Sequence, residues 1–218
     1  NHAWDVDGRF DFTVPNRPEL QPDELTVEAW VQGDDRYFYQ GLVTKTTSTY
    51  WADGFGLLRV GQSVRFFVNN WSTNFIEAPL TDDVWSHVAA TFDGAMMKLF
   101  IDGELVAEKD YTGAIVHSDG DLVLGAAPAS SYIWGGLIDD VRLWGRALDA
   151  AEIAGAKDAP LSGSEAGLLG YWTFDEPTGT VAADLSPAAA AAVLRSTRSS
   201  ETRLFAFDAE AGSGYFLD

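Results

Sequence analysis

Short runs of alternating apolar and polar residues recur along this chain, and a helical period is confined to one stretch. In LTVEAWV, Leu25, Val27, Ala29 and Val31 fall on one face, and Glu24, Thr26, Glu28 and Trp30 on the other. That is the mark of a half-buried strand, and it assigns Glu28 to the solvent face. Residues 1–14 contain WDVDGRFDFTV, a second alternating strand pattern. Residues 40–45, 54–60 and 63–69 read as strands, with Gly61-Gln62 as the hairpin turn. Residues 85–92 and 97–101 predict another hairpin across Asp93-Gly94-Ala95, where Gly94 supplies the positive φ of a tight turn. Strands are also expected at 104–109, 122–124 and 137–144, with 204–207 as a candidate last strand. The helical stretch is 148–156 (LDAAEIAGA), with Asp149 as N-cap and Glu152 three residues later, a capping-box pattern. Many short strands and little helix predict an all-β sandwich or jelly roll with one short helix near 148–156.

Composition narrows the function. At 218 residues, 46% hydrophobic and 13% aromatic, the chain can bury a substantial core, and 21 glycines and 8 prolines supply turns. No apolar run approaches the ~18 residues of a membrane span, so membrane insertion is not expected. Asn1 opens without an apolar leader, as expected of an excised or processed piece. With no cysteine, disulfides, zinc-thiolate sites and thiol catalysis are excluded. A net charge of -19 repels phosphates and anionic lipids, which argues against nucleic acid and membrane partners; it equally serves as a solvated surface. The three histidines (His2, His87, His117) are scattered, and no catalytic triad order or phosphate loop appears.

Four segments carry a family pattern: Trp85-Ser86-His87-Val88, Thr91-Phe92-Asp93-Gly94, Phe100-Ile101-Asp102-Gly103, and residues 136–148. Together they resemble the bacterial laminin G-like domains of the concanavalin A-like lectin/glucanase superfamily. The resemblance runs over residues 3–156, and over 168–186 out of order. It implies a two-sheet antiparallel jelly-roll sandwich, secreted or on the cell surface, appended to glycosidases, adhesins or large surface proteins. In that family a segment like Tyr171 to Ser186 opens a domain; here it follows the body. Either residues 1–157 form a domain and 168–218 begin a truncated second repeat, or 1–218 is one domain in which 168–175 returns to fill the first-strand position. The second is preferred, because a missing strand would leave an unpaired edge.

The expected activity is non-catalytic binding, with carbohydrate as the favoured partner. Laminarinase-like relatives carry a Glu-x-Asp-x-x-Glu strand; the nearest match, Glu24, Thr26 and Glu28, lacks its middle carboxylate. Sugars present apolar C–H faces and hydroxyl edges, so their sites pair flat aromatics with amides or carboxylates. Aromatic-rich segments lie at 37–39, 50–53, 69–72 and 132–134, and from them the candidate ligand-binding residues are Trp51, Asp53, Asn69, Asn70, Trp71, Tyr132 and Trp134. These aromatics serve equally well as core, whereas Trp30, Trp85, Trp144 and Trp172, embedded in strands, read as structural. The alternatives are a protein-interaction or spacer module and a divergent hydrolase or lyase; a monomeric module is expected. Structural Ca2+ is a further candidate. Asp5, Asp7, Asp11 and the Gly8 carbonyl cluster near one strand start, and calcium takes six to eight oxygens. The resemblance implies a cation bridging N- and C-terminal strands through Asp7, Gly8, Asp11 and Asp139. Asp139 is taken to point inward with Leu137, Val141 and Leu143, and Asp140 outward with Arg142. Phe10 departs from the family's acidic pattern there, and turn-capping aspartates in an acidic chain account for the cluster as well.

Overall fold

The computed structural model describes residues 3–6, 10–47, 51–176, 180–196, 205–208 and 213–216. In chain order its strands are β1 (Trp4–Asp5), β2 (Phe10–Val14), β3 (Leu25–Gly33), β4 (Tyr39–Lys45), β5 (Phe55–Val60), β6 (Ser63–Val68), β7 (Phe75–Pro79), β8 (Ser86–Phe92), β9 (Met96–Ile101), β10 (Glu104–Asp110), β11 (Leu122–Leu124) and β12 (Gly136–Trp144). The helix α1 (Ala150–Ala156) follows, then β13 (Leu168–Trp172), β14 (Val181–Ala182), β15 (Ala192–Ser196), β16 (Phe205–Asp208) and β17 (Ser213–Phe216). All the pairings are antiparallel.

One sheet of seven strands runs β1-β12-β3-β8-β9-β10, with β13 also on β12. The other, of eight, runs β14-β15-β2-β11-β4-β5-β6-β7. The predicted sandwich with one short helix is therefore borne out. Leu25, Val27, Ala29 and Val31 of β3 meet Leu57 of β5 and Phe66 of β6 in the core between the sheets. β16 and β17 pair with each other. The α1 capping box forms as expected: Asp149 Oδ1 accepts from Glu152 N at 2.8 Å, and Asp149 N donates to Glu152 Oε2 at 2.9 Å.

Several expectations need correction. The alternating run at the N-terminus is two strands: β1 joins β12 in one sheet, and β2 joins β11 and β15 in the other. The alanine-rich stretch around residue 190, where no strand is predicted, belongs to the core, with Ala190 and Ala192 fully buried and β15 paired to β2. Trp85 precedes β8 and is 37% exposed. Glu28 faces away from the core as its alternation requires, yet it is completely buried. The reason is α1 and the segment after it, which lie over this face of the seven-stranded sheet. Arg142 Nη1 and Nη2 donate to the carbonyls of Ala156 and Ala159, and Trp30 Nε1 donates to that of Lys157. Beneath them Trp144 Nε1 donates to Glu28 Oε1 at 2.9 Å, and Arg142 Nη1 lies 3.6 Å from the same oxygen. His87 Nε2 sits 3.3 Å from Glu28 Oε2, near enough for charge pairing but not aligned as a hydrogen bond. Burial pushes the Glu28 carboxyl up, but His87, Arg142 and Trp144 together outweigh it and hold the group below its usual range.

β1 and β13 lie end to end on one edge of β12, β1 opposite Leu137 and Ile138, and β13 opposite Val141 to Trp144. Trp172 and Phe174 from this returning segment enter the main core.

Candidate ligand-binding site

Strand alternation sorts the eight-stranded sheet into two faces. Leu57 and Phe66 point into the core, so their neighbours Leu58 and Phe67 point outward. Outward apolar residues must be covered or exposed, and here Trp51, Ala127, Trp71 and Phe75 pack over them as a separate cluster. Trp51 stacks on Phe67, centroids 6.3 Å apart and planes at 16°.

On this base stand four rings. Tyr39 opens β4, Trp51 comes from the β4–β5 loop, Trp71 from the β6–β7 loop, and Tyr132 from the segment between β11 and β12. They form a closed circuit: Tyr39 to Trp71 at 5.6 Å, Trp71 to Trp51 at 5.8 Å, Trp51 to Tyr132 at 5.6 Å, and Tyr132 to Tyr39 at 5.6 Å. Every contact is edge-to-face. The rings, with Pro128, Ala129 and Ser131, line an open cavity of about 560 Å3. That lies within the ~300–1,000 Å3 range usual for small-molecule sites. Among the described residues, no protein group bonds to the indole N–H of Trp51 or Trp71, or to the phenol of Tyr39 or Tyr132. These remain available to a ligand. Tyr132 is 51% exposed, and Phe38 packs edge-on against Tyr39 at the rim, 4.8 Å away.

The loops are fixed from below. A Cβ on Gly41 would lie 2.2 Å from the Ala126 backbone, so only glycine lets the 125–132 segment cross β4 there. Gly41 N donates to Tyr132 O at 2.6 Å, and Thr44 Oγ1 to Ala126 O at 2.9 Å. The segment then closes a tight turn, Ala127 N donating to Ser131 O at 2.8 Å. Trp71 N donates to Trp51 O at 3.3 Å, tying two loops together. Left-handed backbone concentrates here: Trp51 (φ 44°), Asn69 (φ 63°), Ala129 (φ 59°) and Tyr132 (φ 47°). Such conformations cost about 1–2 kcal/mol for a residue with a Cβ and persist where surroundings enforce them.

The seven candidate ligand residues divide accordingly. Trp51, Trp71 and Tyr132 converge. Trp134 does not: it is 0% exposed, packed over Gly33 in the main core, with no face to offer a ligand. Asp53, Asn69 and Asn70 shape the loops. Asp53 Oδ1 accepts from Thr46 Oγ1 (2.6 Å) and Thr47 N (2.8 Å). Asn69 donates to Tyr111 Oη and Ala114 O, each at 2.9 Å, and accepts from Val116 N at 2.6 Å. Asn70 Oδ1 accepts from Ser72 N, Ser72 Oγ and Thr73 N. The residue that sequence reasoning passed over is Tyr39; its signal was the aromatic run 37–39. Pro128, Ala129 and Ser131 carried none.

The metal expectation fares differently. Asp7 and Gly8 lie outside the described residues. Asp139 pairs with Trp30 in register, whereas Ile138, Val141 and Leu143 reach the core. A bulge between Asp139 and Arg142, with Asp140 at φ 47°, reverses the alternation, so Asp139 faces outward, not inward. Asp140 does pair with Arg142, Oδ2 to Nη2 at 3.6 Å. Asp11 shares the outward face of the other sheet with Thr13, opposite core residues Phe12 and Val14. Asp11 and Asp139 thus lie on the outward faces of different sheets, and among the described residues no three acidic or histidine side chains gather around one point. Burial and, next, the neighbouring Asp140 charge push Asp139 up to about 7, with Asp175 adding to the effect.

A family profile described as the concanavalin A-like lectin/glucanases superfamily matches residues 7–154. The chain belongs to this superfamily, in its laminin G-like branch. No curated protein matches the laminin G-like chain in sequence. Among solved structures it is similar to a candidate carbohydrate-binding protein from Bacteroides ovatus, at 16% identity and TM-score 0.71, covering 89% of this chain and 57% of that one. It is also similar to the CBM40 of a Ruminococcus gnavus IT-sialidase, solved with α2,3-sialyllactose, at 18% identity and TM-score 0.59, covering 71% of this chain and 96% of that one. The binding domain of botulinum neurotoxin serotype G follows at 14% identity and TM-score 0.54, covering 66% of this chain and 39% of that one. At these identities the likeness is one of fold.

Proposed function

We propose that this laminin G-like domain is a non-catalytic carbohydrate-binding module of a larger secreted or surface protein, with residues 1–218 working as one unit. The observation that carries the reading is the closed circuit of Tyr39, Trp51, Trp71 and Tyr132 around an open cavity of about 560 Å3. Ring faces stack on the C–H faces of pyranoses, while the unbonded indole and phenol groups meet hydroxyls. Support comes from structures of similar fold, two of which carry carbohydrate-binding descriptions. The carboxylate nearest a glucanase pattern, Glu28, is enclosed beneath α1 and reaches no cleft.

The test is affinity electrophoresis of the native chain against soluble polysaccharides, beside Trp71→Ala and Tyr132→Ala. Retardation by one polysaccharide class, lost in both variants, is the expected result. Retardation that survives both substitutions would place the binding elsewhere on the molecule. Its absence across a broad panel would favour a protein-interaction role.

A further inference from the structure

The aromatic cavity does not end at its rings. Pro128 and Ala129 also line a second cavity of about 290 Å3, walled otherwise by Thr46, Thr47, Gly120, Asp121 and Val123. The two spaces share the turn at Pro128–Ser130 as a common wall. One side offers ring faces; the other offers hydroxyls, backbone and a carboxylate.

Among the described residues, neither lining contains a lysine or arginine. Two described cations adjoin lining residues, Arg65 at Trp71 and Lys45 at Gly120, and both have partners. Arg65 lies 5.8 Å from the Trp71 ring, and its Nε and Nη2 donate to Glu77 Oε2 at 2.9 and 2.7 Å. Lys45 Nζ donates to Asn16 Oδ1 at 2.7 Å, Gly120 O at 2.8 Å and Ser118 O at 3.3 Å, and its charge is matched by Asp121, Asp119 and Asp53. The charged group of the second lining is Asp121, whose Oδ1 accepts from Asn16 N at 3.0 Å and which, with Asp119 and Asp53, sets three carboxylates against Lys45, on a chain of net charge -19.

Resting on the carbohydrate-binding reading, we infer that this site takes a neutral oligosaccharide lying across both cavities and rejects sialylated or uronic-acid glycans. A glycan carboxylate leaving water needs a cation or several charge-assisted donors in return. Here it would meet Asp121 in a negative field. A neutral sugar has no such cost: its hydroxyls donate to Asp121 and exchange hydrogen bonds with Thr47, while the adjoining ring stacks on the aromatic circuit. A single pyranose occupies part of this space, so affinity grows with a second and third unit. The site therefore differs in ligand charge from the Ruminococcus domain of the same fold, which was solved with a sialylated sugar.

Calorimetry of the native chain with neutral gluco-, manno- and galacto-oligosaccharides, each beside its sialylated or uronic-acid counterpart, tests this. Expected is binding of a neutral series, at least about tenfold tighter than the anionic counterpart, which corresponds to about 1.4 kcal/mol. The neutral affinity should rise from mono- to trisaccharide and hold constant with added salt, and Asp121→Asn should narrow the neutral-to-anionic ratio. Tighter binding of the anionic member, weakening with salt, would overturn the inference and leave the carbohydrate reading intact. No heat with any glycan, and no difference between the native chain and Trp71→Ala, would overturn both.

Discussion

At the residue scale, aromatic residues of similar sequence context have opposite fates. Trp134 is fully buried between the sheets, whereas Tyr132, two residues earlier, is half exposed at the cavity mouth. Trp134→Ala should cost about 3–5 kcal/mol in urea unfolding, the usual penalty for emptying an aromatic core site. Tyr132→Ala should cost less than about 1 kcal/mol while removing glycan retardation. Equal losses in both variants would mean that Tyr132 holds the fold together. Asp139 gives a pH test. Its folded-state value of about 7 exceeds the ordinary 3.8, so between these limits the folded protein binds more protons than the unfolded chain. Stability contributed by this residue therefore falls as pH rises from about 4 to about 7, then levels off. Asp139→Asn should raise Tm at about pH 8, in chelator, and leave it unchanged near pH 4. A gain that is the same at both pH values would point to packing instead of charge.

At the element scale, the helix and its connection act as a lid on a buried polar layer. Arg142 fastens the lid through two carbonyls and supplies charge to Glu28. Arg142→Met should cost about 3 kcal/mol or more in chemical denaturation, because it strands a buried carboxylate. Loss below about 1 kcal/mol would show that His87 and Trp144 suffice. This layer marks where sequence patterning stops being informative. Alternation placed Glu28 on the outward face correctly, since period two follows from the strand itself. It said nothing of a distant helix returning to cover that face. The β12 bulge is the same limit seen from the other side: one extra residue at Asp140 reverses every later position, and Asp139 was misassigned for that reason. Of the site, the aromatic content was legible and the convergence was not. Asp53, Asn69 and Asn70 looked like sugar-binding groups because the same side chains that bond hydroxyls also cap turns.

At the scale of the whole molecule, residues 168–196 contribute to both sheets: β13 lies on β12, while β14 and β15 extend the other sheet beyond β2. Removing everything from Leu168 onward would uncover Trp144 and the β2 edge and empty the places of Trp172, Phe174, Ala190 and Ala192. Size-exclusion chromatography of that truncation should show aggregates, through unpaired strand edges. A soluble monomeric peak with native circular dichroism would instead make residues 1–157 a self-sufficient domain.

The left-handed residues of the site carry a last consequence. Ala129, in the wall both cavities share, sits at φ 59°, a conformation that glycine adopts freely. Ala129→Gly relieves that local tension but gives the turn other shapes to visit when empty, and binding must then select one of them. Melting temperature and affinity should move in opposite directions at this single position. The protein would become slightly harder to unfold and slower to recognise its ligand, so the tension held in the empty turn is what keeps the cleft open in advance.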